Sequence, residues 1–83
     1  MNFSYKPSGV CSQKIDLTLE DGVITSVQFT GGCNGNLQGI AALVQGQPAQ
    51  EVLARLEGIH CGMKHTSCPD QLSRAIRQAL AQA

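Results

Sequence analysis

Four cysteines, Cys11, Cys33, Cys61 and Cys68, are the residues of this 83-residue chain best suited to chemistry. A thiolate is a nucleophile, a redox centre and a ligand for zinc or an iron–sulfur cluster. None of the four belongs to a Cys-x-x-Cys pair, so the spacing of zinc ribbons and thioredoxin-like sites is absent. Position carries the argument instead. Cys11 immediately precedes an alternating segment, and Cys33 sits in Gly31-Gly32-Cys33-Asn34-Gly35. Cys61 lies in a loop, and Cys68 stands before Pro69 at the start of a helical pattern. Each falls at an element boundary rather than on an apolar stripe. The four are therefore expected to converge on one metal site, zinc ahead of an iron–sulfur cluster.

The neighbours suit such a site. Glycines around Cys33 let backbone N–H groups approach sulfur or metal closely. A thiolate at Cys68 would be stabilised by the dipole of the helix it begins. Two signals compete for the helix cap: Pro69 at the first helical position favours Cys68, while Ser67-x-x-Asp70 resembles a capping box built on Ser67. Four thiolates on a divalent ion carry a formal charge of about minus two, which Lys64, His60, His65 and backbone donors would partly offset. The histidines read as loop residues beside the site, and as substitutes should one cysteine not bind. The competing reading of any single cysteine is a small buried hydrophobe.

Those positions require particular elements. Phe3 and Tyr5 alternate weakly and suit a short edge strand. From Gln13, Ile15, Leu17 and Leu19 alternate with Lys14, Asp16, Thr18 and Glu20, and Val23 to Phe29 again has strand composition. A two-residue Asp21-Gly22 turn alone would set Val27 and Phe29 on the face opposite Leu17. A three-residue loop, Glu20-Asp21-Gly22, pairs Leu19 with Val23 and Ile15 with Val27, and so keeps the large residues on one face. That register leaves Ile24 pointing outward or toward an oligomer partner. Three helices follow, from about Gly35 to Gln45, from Pro48 to Gly58, and from Cys68-Pro69 toward the C-terminus. A hairpin returns to the end it left, so Cys11 and Cys33 are neighbours, and a third helix starting there brings Cys68 to them.

The expected fold is α+β: a small antiparallel sheet of two or three strands, a hairpin within it, then three helices on one face. One domain fills the chain. A core this small buries only about 60–65% of the unfolded surface, and domains of this size often need a metal, disulfide or partner. The net charge is zero and the basic residues are scattered, which argues against nucleic acid. No apolar run approaches membrane-spanning length and the N-terminus lacks a secretory pattern, so a cytoplasmic location is expected. Reduced thiols there favour metal or redox chemistry over structural disulfides.

Thr66-Ser67-Cys68-Pro69-Asp70 spells the motif that names the TSCPD domain family. Gly31-Gly32-Cys33-Asn34-Gly35-Asn36 and Cys61-Gly62-Met63-Lys64-His65 also resemble that family, so the likeness covers almost the whole chain. Such domains occur at the C-terminus of B12-dependent ribonucleotide reductases and as small stand-alone proteins. The resemblance implies a link to nucleotide reduction, with a reductase or a redox protein as partner. Eighty-three residues are too few for the barrel and radical site of that reaction, so intrinsic reductase activity is not expected.

A fainter resemblance is to the U-type iron–sulfur cluster scaffolds, in which a cysteine precedes a hairpin, a second precedes a helix and a third precedes the last helix. Cys11, Cys33 and Cys68 are similar in order, which implies a scaffold-like architecture. Gln13 stands where the scaffolds carry an acidic residue that keeps the cluster labile, and Cys61 has no counterpart. Both departures point to a held metal rather than a delivered one. The resulting expectation is a zinc- or cluster-binding accessory module. An electron-transfer or scaffold protein is the alternative, and a homo-oligomer is compatible with either.

Overall fold

The alternating and periodic segments fold into three strands followed by three helices, in a computed structural model that describes residues 1–32 and 34–82. The strands are β1 (Asn2–Tyr5), β2 (Ser12–Glu20) and β3 (Val23–Gly31), antiparallel in the order β1-β2-β3. The helices are α1 (Asn34–Val44), α2 (Ala49–Leu56) and α3 (Cys68–Gln82). The α+β architecture is the expected one, with Phe3 and Tyr5 of β1 opposite Leu17 and Ile15.

The hairpin register differs from expectation. Asp21 (φ 53°) and Gly22 (φ 77°) form a two-residue turn that pairs Glu20 with Val23 and Leu19 with Ile24. Both positive φ angles match the right-handed twist of the flanking strands. A bulge then intervenes: Thr18 pairs with Ser26, leaving Thr25 as the extra residue, and Leu17 faces Val27 while Ile15 faces Phe29. One inserted residue moves every later side chain to the other face. The turn and bulge together thus keep Ile24, Val27 and Phe29 all on the inward face, which neither simple loop achieves. Ile24 is the correction that follows. It is fully buried against the core and does not point outward.

Ile15, Leu17, Leu19, Ile24 and Val27 form the sheet's side of the core, and Leu72, Ala75, Ile76 and Ala79 of α3 press onto it. Leu72 and Ile76 have no exposed surface, and burying such a side chain contributes roughly 1.5–3 kcal/mol. α3 crosses β1 and β2, α1 lies along β3, and α2 packs on α3 through Val52 and Leu53. The loop between α1 and α2 hooks onto the turn end of β3: Gly46 N–H donates to the Ile24 carbonyl at 2.6 Å, and Ile24 N–H donates to the Gln47 carbonyl at 3.0 Å. No described helix is long and apolar enough to cross a membrane.

Candidate metal centre

The site is built at the first turn of α3. Ser67 settles the capping question, because its Oγ accepts the Asp70 N–H at 3.1 Å and its carbonyl accepts the Gln71 N–H at 2.8 Å. Cys68 is therefore the first helical residue and Pro69 the second. The Ser67 hydroxyl also donates to the Ile59 carbonyl at 2.6 Å, fastening the incoming loop to the helix start. Asp70 does not close a capping box on Ser67. Its carboxylate turns to the end of α2, accepting the Gly58 N–H at 2.7 Å and the Thr66 hydroxyl at 2.5 Å, with Arg74 Nε at 3.4 Å.

These bonds leave their mark on Asp70. Burial alone would raise its pKa, but the bonds from Thr66 and Gly58, with the charges of Arg74 and His60, outweigh it. The carboxyl is held below its ordinary value. Beside it, Gln71 is almost wholly buried, with both its amide nitrogen and its amide oxygen bonded. Its Nε2 donates to Thr66 Oγ1 at 2.9 Å, and its Oε1 accepts from Ser8 N–H at 3.1 Å and Tyr5 OH at 3.3 Å. This network ties the segment before Cys11 to the helix that carries Cys68.

The hairpin end meets that helix through Ser12 and Cys68. Ser12, buried at the start of β2, holds its Oγ 3.3 Å from the Sγ of Cys68. Its chain neighbour Cys11 is exposed, with its sulfur against Gly32. A Cβ added at Gly32 would lie 2.9 Å from Leu37 Cδ1, 3.1 Å from Ser12 N and 3.3 Å from Cys11 Sγ. With φ at +80° as well, Gly32 admits no other side chain without displacing its neighbours. The hairpin end and the helix start thus approach each other through Ser12 and Cys68, while the exposed Cys11 sulfur lies near Gly32. Cys33 lies outside the described residues.

Cys61 is placed differently. It is exposed, in a loop closed by Cys61 N–H to the Thr66 carbonyl at 3.1 Å and Lys64 N–H to the Cys61 carbonyl at 3.0 Å. Among the described residues, no three His, Cys, Asp or Glu groups stand close enough to hold a metal ion. His60 and His65 line an open cleft of about 580 Å³ with Glu57, Arg74 and Arg77, and no described cysteine belongs to it. Gln13 is exposed and lies against Gly31. Sequence reasoning missed Ser12, Thr66 and Gln71 as the residues that position Cys68; only Ser67-x-x-Asp70 carried a local signal.

The model of the TSCPD domain family matches residues 3–80. The chain belongs to the TSCPD family. No curated protein and no solved structure matches it. In this TSCPD domain the motif divides by role: Thr66, Ser67 and Asp70 hold the helix start to its surroundings, and Pro69 fixes the backbone in the first turn. Cys68 supplies the motif's thiol. Among the described residues, its hydrogen-bonding neighbour is the Ser12 hydroxyl.

Proposed function

We propose that this TSCPD domain is a non-catalytic metal-binding module in which thiolates of Cys11, Cys33, Cys61 and Cys68 hold zinc. One observation carries the reading: Cys11 and Cys68, 57 positions apart in the chain, flank the same buried Ser12 at the junction of hairpin and helix. The donor set is soft, as zinc and iron–sulfur clusters prefer. Cys11 and Cys61 are exposed and Cys68 is half-buried, so a metal could reach all three. A bound zinc would act as a cross-link between loops. Cys68 would be held on the rigid helix start and Cys11 on the hairpin, with the Ser12 hydroxyl orienting the Cys68 sulfur.

In this reading the folded module serves as an accessory or interaction domain in a thiol-reducing compartment, with ribonucleotide reduction as the associated process. The test is metal content per chain in freshly purified protein, with recovery of a ribonucleotide reductase in a pulldown. Protein without metal, or a Cys68→Ser variant that keeps it, counts against the site. A pulldown that never recovers a reductase counts against the process.

A second reading has its own support. Cys61 is exposed, on a loop that turns at Gly62 (φ +60°), and no described group of three metal-ligating side chains includes it. Without Cys61 the set has three thiolates and an exchangeable position, the property a cluster scaffold requires. Transfer of iron and sulfide to an apo-acceptor, retained in Cys61→Ser, would favour this reading over the closed zinc site.

A further inference from the structure

β3 and α1 together form a groove that we infer to be a docking site for an extended, uncharged polypeptide strand of a partner protein. Leu19 exchanges both of its backbone bonds with Met1, on the β1 side. Alternation along β2 then directs the backbone groups of Thr18 and Asp16 toward β3, where they pair with Ser26 and Gln28. In β3 the residues between, Val27 and Phe29, therefore aim their N–H and C=O groups away from the sheet. Ile24 shares that outward direction, and its groups are taken by Gly46 and Gln47. Among the described residues, no backbone or side-chain group bonds the outward groups of Val27 and Phe29.

The neighbouring helix turns this free edge into a slot. α1 packs chiefly on β3, and between them lies a groove of about 290 Å³ lined by Val27, Phe29, Leu37 and Ala41, with Gln28 and Gln38 at its rim. Its electrostatics are unusual for a surface. From Gly22 to Gln50 the chain has no charged residue, so every acidic, basic and histidine side chain lies outside β3 and α1. Exposed sheet edges are ordinarily blunted by charges, and interface cores are depleted in them. A neutral strand pairs here without desolvating a charge, through main-chain bonds at Val27 and Phe29 and alternate side chains under Leu37 and Ala41.

A second copy of this chain does not fit the slot. Pairing two β3 edges sets them about 4.8 Å apart, and each carries an α1 on the same face. Packed helices need about 8–10 Å between axes. The occupant is thus a single strand without a helix overhead.

The experiment uses the ¹⁵N-labelled full chain and a synthetic probe, acetyl-Thr-Val-Asn-Val-Thr-Val-Asn-Thr-amide, with a copy N-methylated at every peptide bond, since methylation of alternate bonds would leave one edge free to pair. The probe is expected to shift the Val27 and Phe29 amides and slow their hydrogen exchange at least tenfold, while the N-methylated copy does neither. Gln38→Lys, at an exposed rim position, keeps the fold by circular dichroism and weakens binding of a lysine-flanked probe more than that of the neutral one. Absence of shifts at millimolar probe overturns the inference, as does equal binding of the N-methylated copy. Protection of Val27 and Phe29 that rises with protein concentration alone assigns the edge to self-association and overturns it too.

Discussion

The hydroxyl of Ser12 lies 3.3 Å from the sulfur of Cys68, joining the first residue of β2 to the first residue of α3. Ser12 is buried, so its hydroxyl has few other directions in which to point. Ser12→Ala should fold normally and lose under about 1.5 kcal/mol, the usual range for one neutral hydrogen bond. Its metal affinity should fall roughly 10–100-fold, as for groups that orient a ligand. Competition with a chromogenic chelator, beside thermal melts, measures both. Unchanged affinity would remove Ser12 from the site.

The buried Asp70 carboxylate meets Gly58, Thr66 and Arg74, and its neutral isostere is informative. Asp70→Asn keeps the shape but presents an NH₂ where a carboxylate oxygen accepted from Gly58 or Thr66. Loss of a charged acceptor of this kind costs roughly 2–3 kcal/mol. Urea unfolding should show that decrease, and hydrogen exchange should quicken at the Gly58 amide.

The same carboxylate sets a pH dependence. Its folded pKa is depressed below the unfolded value of about 3.9, so the unfolded state binds the proton more readily. The associated stability is complete well above pH ~4 and is lost as the pH falls through the lower folded value. Thermal midpoints of wild type should therefore decline more steeply below pH ~4 than those of Asp70→Asn. Parallel curves would show that Asp70 does not carry the acid sensitivity.

The bulge at Thr25 gives a prediction for the core. Ile24→Ala removes a fully buried side chain and should cost about 2–5 kcal/mol. Leu43→Ala, on a side chain 79% exposed, should change stability by less than about 0.5 kcal/mol. A mild Ile24→Ala would support the simple three-residue loop, in which Ile24 lies outside.

The contrast shows where local sequence carried the fold. Alternation of Ile15, Leu17 and Leu19 specified β2, and the apolar spacing of Leu72, Ala75, Ile76 and Leu80 specified α3. Register in β3 was not legible, because a turn plus a bulge and a longer loop both bring Val27 and Phe29 inward and differ in whether Ile24 or Val23 joins them. The choice between them depends on Gly46 and Gln47 bonding Ile24 from a distant loop. Gln71 was equally hidden: its buried role arises from Tyr5, Ser8 and Thr66, which only the fold brings together. For the site, element boundaries brought the start of β2, next to Cys11, to the start of α3 at Cys68. They gave no distance for Cys61, whose loop position depends on the bond from its N–H to the Thr66 carbonyl.

Metal content with the absorption spectrum of anaerobically purified protein tests the central claim most directly, for wild type beside Cys68→Ser. A four-thiolate zinc site predicts a colourless wild type with one zinc per chain. It also predicts a Cys68→Ser protein that loses the metal together with much of its thermal stability, since ligation and folding are coupled. Metal-free wild-type protein that is as stable as its chelator-treated form, or a Cys68→Ser variant that keeps its zinc, would contradict it.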